Sequence, residues 1–179
     1  MDFSKTLRSI SEKFNQASIQ YALIGGFALY FWGYPRGTND LDFIVLAEDK
    51  ERAKKLLETL GFKVWRETEN VAHYESESAI VDFIYAKSIY GKKLLERACE
   101  NELNGIKFKV AKAEDIIGLK VQSFANNPSR WLKEMADIEN LLIENKGKLD
   151  LELIEEYFKL FQLEKEWKLL LERYNEVNK

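Results

Sequence analysis

Two aspartates one residue apart, Asp40 and Asp42 in Thr38-Asn39-Asp40-Leu41-Asp42-Phe43, are the side chains in this sequence best suited to hold a metal. In a β-strand successive side chains alternate faces, so both carboxylates leave one face about 6.5 Å apart at Cα, while Leu41 and Phe43 enter the core. Like charges that close raise each other's pKa unless a cation lies between them, and an all-oxygen donor set suits Mg²⁺ or Mn²⁺. A third carboxylate, Asp82, interrupts the apolar run Ile80-Val81-Asp82-Phe83-Ile84, where an unpaired charge is costly. If that strand lies beside the first, three aspartates converge. Gly25-Gly26 sits between Leu23-Ile24 and Phe27-Ala28. A glycine pair between strand and helix lets backbone N–H groups, and the positive end of the helix dipole, approach a phosphate closely. Phosphate on one side and metal on the other describe a nucleoside triphosphate.

The elements that must position these groups can be read from periodicity. Phe3, Leu7, Ile10 and Phe14 lay an apolar stripe along a first helix, and Ser18 to Ile24 predicts a strand. A helix over Phe27 to Trp32 follows, ended by Gly33-Tyr34-Pro35-Arg36-Gly37, then a strand over Asn39 to Leu46. Glu48 to Leu60 predicts a helix with Gly61 beyond its end. Lys63 to Trp65 and Val71 to Glu75 have the pattern of a meander, and Ala79 to Ala86 is the most apolar strand. A helix over Ser88 to Glu100 is expected next, then an edge strand over Ile106 to Val110 behind the Asn104-Gly105 turn. After residue 112 the pattern is helical throughout: Ala113 to Ala125, Ser129 to Ile143, and one long segment from Leu151 to Tyr174. The expected fold class is α/β (α+β), a small mixed sheet flanked by helices over residues 1–112, with an all-helical C-terminal part over residues 113–179.

With 179 residues, 46% of them apolar, the chain can bury a core without cross-links, and its single cysteine, Cys99, forms no internal disulfide. A net charge of −3 argues against a nucleic-acid-coating protein and confines any RNA contact to a local groove. The longest nearly apolar stretch, Tyr21 to Tyr34, falls short of the roughly 20 residues that cross a bilayer. The N-terminus lacks the uncharged apolar core of a signal peptide, so a cytoplasmic, membrane-free protein is expected.

The combination of Gly25-Gly26-x-Ala28, then Arg36-x-Thr38-x-Asp40-x-Asp42, then Asp82 in a later apolar strand resembles the nucleotidyltransferase superfamily of DNA polymerase beta type. Within it the sequence is most similar to AbiEii-like toxins and related uncharacterised bacterial nucleotidyltransferases, through Ala113 to Lys120 (AEDIIGLK) and Arg130 to Ile138 (RWLKEMADI). The resemblance covers about residues 18–143. It implies an enzyme that moves a nucleoside monophosphate from an NTP to an acceptor hydroxyl and releases pyrophosphate, with two Mg²⁺ or Mn²⁺ ions held by Asp40, Asp42 and Asp82. It implies that Asp82 takes the acceptor's proton, that Gly25 and Gly26 line the triphosphate, and that Arg36 and Thr38 support the carboxylates. Lys120 would neutralise phosphate charge, and Asp137 would orient that lysine or touch the nucleotide. Acceptors implied are RNA such as a tRNA end, protein or a small molecule, in a toxin–antitoxin or phage-defence setting with a cognate toxin or antitoxin partner. Lys133-Glu134 departs from the Lys-Asp usual in the last motif. Two other readings are a non-catalytic antitoxin-like binding module on the same fold and an aminoglycoside nucleotidyltransferase.

Other chemistry-bearing residues have plainer expectations. His73 is the lone histidine in a polar strand, without partners for zinc, and reads as a half-exposed bystander. Cys99, flanked by Glu96, Glu100 and Glu102, is expected to be an unreactive helix residue. The run Tyr30-Phe31-Trp32-Tyr34 is expected to pack the core, with base stacking as the lesser role. Lys54-Lys55 and Lys92-Lys93 read as solvated helix faces.

Overall fold

The computed structural model describes residues 3–177. The chain divides into two compact units, one of Met1–Phe31 with Pro35–Lys112 and the other of Trp32–Tyr34 with Ala113–Lys179.

The first unit is built on a seven-stranded mixed sheet. Its strands are β1 (Tyr21–Ile24), β2 (Leu41–Leu46), β3 (Lys63–Glu67), β4 (Val71–Glu75), β5 (Ile80–Ala86), β6 (Cys99–Leu103) and β7 (Ile106–Val110), in the order β3-β4-β5-β2-β1-β7-β6. β2 runs parallel to β5 and β1 parallel to β7, while the remaining neighbours are antiparallel. Helix α1 (Phe3–Gln16) buries Leu7, Ile10 and Phe14, as its stripe predicts. Phe14 reaches both Tyr21 on β1 and Phe83 on β5, with ring centroids 5.5 and 5.8 Å away. Phe43 lies 5.9 Å from Phe83, and Tyr74 lies 5.3 Å from it, so one sheet face is an aromatic core contributed by alternate residues of four strands. The opposite positions, Asp42, Asp82 and His73, leave by the other face.

Four elements of this unit differ from expectation. The helix after Gly-Gly begins at Gly25 itself and is a single turn, α2 (Gly25–Ala28), running into a 3-10 turn over Leu29–Trp32. Phe31 joins a small cluster with Phe27 and Phe108, whereas Tyr30 is exposed. The segment Glu48 to Leu60 is a 3-10 turn followed by α3 (Lys50–Thr59), closed by Gly61 at a φ of +84°. Helix α4 (Ile89–Arg97) stops before Cys99, which lies in β6 and not in a helix. β6 then pairs with β7 through a turn in which Asn104 and Gly105 both have positive φ, so β6 is the edge strand and β7 is interior. The alternation in Cys99-Glu100-Asn101-Glu102-Leu103 is too polar to be legible as a strand without its partner.

The second unit contains α5 (Ala113–Asn126), α6 (Trp131–Glu144), α7 (Leu151–Leu160) and α8 (Glu164–Val177). α5 packs on α6 and α7, and α8 on α6 and α7. The expected single segment Leu151 to Tyr174 is two helices, because Gln162 takes a φ of +59° between them. Neither glycine nor proline marks that break. Ile154, Tyr157, Phe158, Trp167 and Leu170 are buried from it, whereas Leu151 is exposed and Phe161, Leu171 and Tyr174 are half-buried. Gly118 lets the Tyr157 ring lie against α5, since a Cβ there would stand 2.8 Å from the ring. No described helix is long and apolar enough to cross a membrane.

Candidate active site

The carboxylates meet because of strand register. Ile24 at the end of β1 is the partner of Asp42 on β2, and Asp42 is the partner of Asp82 on β5. Asp40 occupies the bend just before β2, not the strand itself, and is fixed from outside: Thr38 Oγ1 donates to Asp40 Oδ1 at 2.6 Å. Asp40, Asp42 and Asp82 each offer an oxygen such that all three lie within 4.8 Å of one another. All three side chains are half-buried. Burial raises the Asp82 carboxyl above the ordinary carboxylate range; His73 opposes that shift and the Asp40 charge adds to it. Asp82 Oδ1 is buried, and His73 Nδ1 lies 2.9 Å from it. Three converging carboxylate oxygens, an all-oxygen donor set, fit a divalent cation of the Mg²⁺ or Mn²⁺ class.

The glycines act here chiefly through what they lack. Gly25 has a φ of +66°, and a Cβ on it would stand 1.9 Å from Asp42 Oδ2. The backbone of the turn therefore lies directly against a carboxylate of the cluster. A Cβ on Gly26 would meet Thr38 Oγ1 at 2.8 Å and Arg36 Nη1 at 3.3 Å. Arg36 in turn donates to the Gly37 carbonyl at 3.1 Å, closing the loop that carries Thr38. The four-residue α2 has too little aligned backbone for a substantial macrodipole, so close approach is the property these glycines supply.

In the helical unit, Lys120 on α5 is buried, its side chain 7% exposed, with Nζ 3.0 Å from Glu134 Oε2 and also bonded to Asp137 Oδ2. Arg130 Nε donates to Glu134 Oε1 at 2.9 Å, and Ser123 Oγ approaches the same oxygen at 3.3 Å. Burial alone would raise the Glu134 carboxyl, but the Lys120 charge, with the Lys120 and Arg130 hydrogen bonds, outweighs it and holds that carboxyl below its usual range. Two cations and two carboxylates are thus balanced within α5, α6 and the turn before α6. Glu134, which in sequence stands out only as a departure from a motif, is the centre of this network.

Two residues near the aspartates went unrecognised from sequence. His73 is the register partner of Asp82, its Nδ1 2.9 Å from Asp82 Oδ1, and Trp65 lies with its ring 5.1 Å from the imidazole. The available signal for His73 is alternation: Ala72 and Tyr74 enter the core, which turns His73 toward the face of Asp82.

A family model described as an uncharacterised nucleotidyltransferase matches residues 1–177. No curated protein matches the chain. Among solved structures, it is similar to the antibiotic-resistance factor ANT(2'')-Ia at 18% identity and a TM-score of 0.67, over 98% of this chain and 100% of that one. An antigenic nucleotidyltransferase-like protein from Paracoccidioides brasiliensis aligns over 94% of this chain and 91% of that one, with 20% identity and a TM-score of 0.56. The lincosamide antibiotic adenylyltransferase LnuA, lincomycin-bound, covers 76% of this chain and 91% of its own, with 16% identity and a TM-score of 0.51. At such identities the likeness is one of fold.

Proposed function

Since the chain belongs to a family of uncharacterised nucleotidyltransferases, we propose that it transfers a nucleoside monophosphate from an NTP to an acceptor hydroxyl at the Asp40–Asp42–Asp82 cluster. The observation that carries this reading is the convergence of three carboxylate oxygens within 4.8 Å of one another beside the Gly25 turn. Asp40 and Asp42, with Asp82, would hold Mg²⁺ or Mn²⁺. When bound, such ions stabilise negative charge on the attacking and departing oxygens of an in-line displacement. The acceptor oxygen bonds to the α-phosphorus, the bond from that phosphorus to the bridging oxygen breaks, and pyrophosphate departs. In this reading the acceptor's proton passes to the Asp82 carboxylate, the role the sequence resemblance gives it. Gly25 and Gly26 let the turn lie against Asp42 and Thr38, and in this reading its backbone lines the triphosphate, while Thr38 and Arg36 support the loop that carries Asp40. The phosphate-offsetting role of Lys120 and the orienting role of Asp137 rest on the sequence resemblance; within the helical unit the two are bonded to each other.

A toxin–antitoxin setting, a cognate partner and an RNA or protein acceptor rest on the sequence resemblance. An aminoglycoside acceptor has support of another kind, the fold shared with ANT(2'')-Ia. A purely binding module on this fold has no use for three clustered carboxylates, whose mutual repulsion costs stability.

The test supplies each α-labelled NTP with Mg²⁺ to the protein in the presence of total RNA, cell protein or aminoglycosides, with Asp42→Asn alongside. Label entering one acceptor pool with wild-type protein and none with Asp42→Asn is expected. Absence of label from every pool, or equal labelling by the variant, overturns the reading.

A further inference from the structure

The row of side chains on the open sheet face does not end at Asp82. His73 on β4 is the partner of Asp82, and Arg66 on β3 is the partner of His73. Between Val64 and Arg66 the register shifts, so Trp65 and Arg66 together oppose His73. That irregularity is a β-bulge, a device that re-aims side chains and is frequent beside active sites. Here it turns Trp65 onto His73, ring centroids 5.1 Å apart and planes at 36°, while leaving the indole 55% exposed. A large aromatic ring left in water, seated on a histidine that contacts Asp82, is not explained by core packing.

The charges around this platform select what it can bind. Lys63 and Glu75, of opposite charge, are register partners across β3 and β4. Arg66 is exposed and has no ion-pair partner among the described residues. The flank therefore offers a flat apolar surface, the Trp65 indole, with the Arg66 guanidinium adjoining it in sequence. The exposed carboxylate of Glu75 lies further along β4 on the same face, so Trp65 and Arg66, and not charge alone, distinguish this flank. A nucleotide finds both a surface for its base and a guanidinium for its phosphate.

Resting on the transfer reading above, we propose that Trp65 and Arg66 form the acceptor subsite and that it takes the terminal nucleotide of a single-stranded RNA. The base stacks on the exposed indole, the adjoining phosphate meets Arg66, and the terminal ribose hydroxyl is directed along His73 toward Asp82. His73 braces the indole from below and fixes its distance from the carboxylate.

The experiment measures binding without turnover, by the anisotropy of a fluorescently labelled short oligoribonucleotide titrated with the full chain in a non-hydrolysable NTP analogue and Mg²⁺. Trp65 is exposed, so its variants are expected to fold, which circular dichroism checks. Trp65→Ala is expected to weaken binding at least about tenfold, with Trp65→Phe recovering most of the loss because stacking needs only a π-face. Arg66→Gln should weaken binding and reduce the slope of log affinity against log salt by about one. In transfer assays the Trp65→Ala deficit should fall on the acceptor KM and leave the NTP KM unchanged. No binding by wild-type protein, equal binding by Trp65→Ala, or binding of an aminoglycoside that depends on Trp65 overturns the proposal. Oligoribonucleotide binding through Trp65 by a protein that transfers nothing sinks the transfer reading instead. Robust transfer indifferent to Trp65 sinks only the subsite.

Discussion

Asp42 and Asp82 are direct partners in the parallel pairing of β2 with β5, so a backbone ladder fixes the separation of two carboxylates. The cluster depends on register more than on any side-chain contact.

The first prediction follows from that ladder. Asp42→Asn and Asp82→Asn preserve shape and remove charge, so circular dichroism and melting should change little. Removing an outer-shell partner of a metal site already costs about 10- to 100-fold in affinity, and loss of a ligand should cost at least about 100-fold. Mn²⁺ titration followed by electron paramagnetic resonance, with labelled-nucleotide transfer in parallel, measures both effects. Unchanged Mn²⁺ affinity in both variants removes the cluster's assignment.

Thr38→Val tests the outer support. The hydroxyl's 2.6 Å bond to Asp40 Oδ1 is lost while side-chain volume is kept. Divalent-ion affinity should fall about 10-fold, more than for the exposed control Thr59→Val.

Gly25 and Gly61 form a matched pair of substitutions. Both have positive φ, so an alanine at either position costs roughly 1–2 kcal/mol of backbone strain. Only at Gly25 does the new Cβ collide with a carboxylate, since nothing lies within 4 Å of the position on Gly61. Gly61→Ala should lower stability and leave transfer intact, and Gly25→Ala should abolish transfer at temperatures where both variants remain folded. Urea unfolding and initial rates separate the two effects.

The buried network of the helical unit predicts a pH dependence. Lys120→Met leaves Glu134 and Asp137 as buried carboxylates short of a cation, a change that costs about 3–5 kcal/mol. Glu134 has a folded-state pKa below its ordinary value. The stability it contributes is therefore complete above the ordinary glutamate range and is lost as pH falls through the depressed folded value. Glu134→Gln should be less stable than wild type at neutral pH, with the gap narrowing below about pH 4. Urea midpoints across pH 3–7 give the comparison, and a gap that widens on acidification contradicts the sign.

How much of this was legible in sequence depends on the range of the forces involved. The spacing of Asp40 and Asp42, the apolar strand around Asp82, the α1 stripe and the Asn104-Gly105 hairpin are local patterns, and the structure contains each of them. The polar edge strand β6 was hidden because its identity comes from pairing with β7. The break at Gln162 was hidden because burial of Phe158 and Trp167, 5.3 Å apart, outweighs helix continuity there. His73 is not legible as a contact because its partner lies on another strand, and Glu134 because two of its donors, Lys120 and Ser123, reach it only when α5 packs on α6.

The parallel pairing of β2 with β5 also orders events in time. Between them the chain lays down α3, β3 and β4, and β5 then returns alongside β2. Closing so large a loop is entropically slow relative to forming a neighbouring hairpin. A nascent chain can therefore possess all three aspartates and still lack any pocket, so under the proposed function the onset of ion uptake during refolding would be a clock for sheet closure. An ion that recognises only the finished pocket adds its binding free energy to the native state alone, making the chemistry of the site a late lock on the fold that creates it.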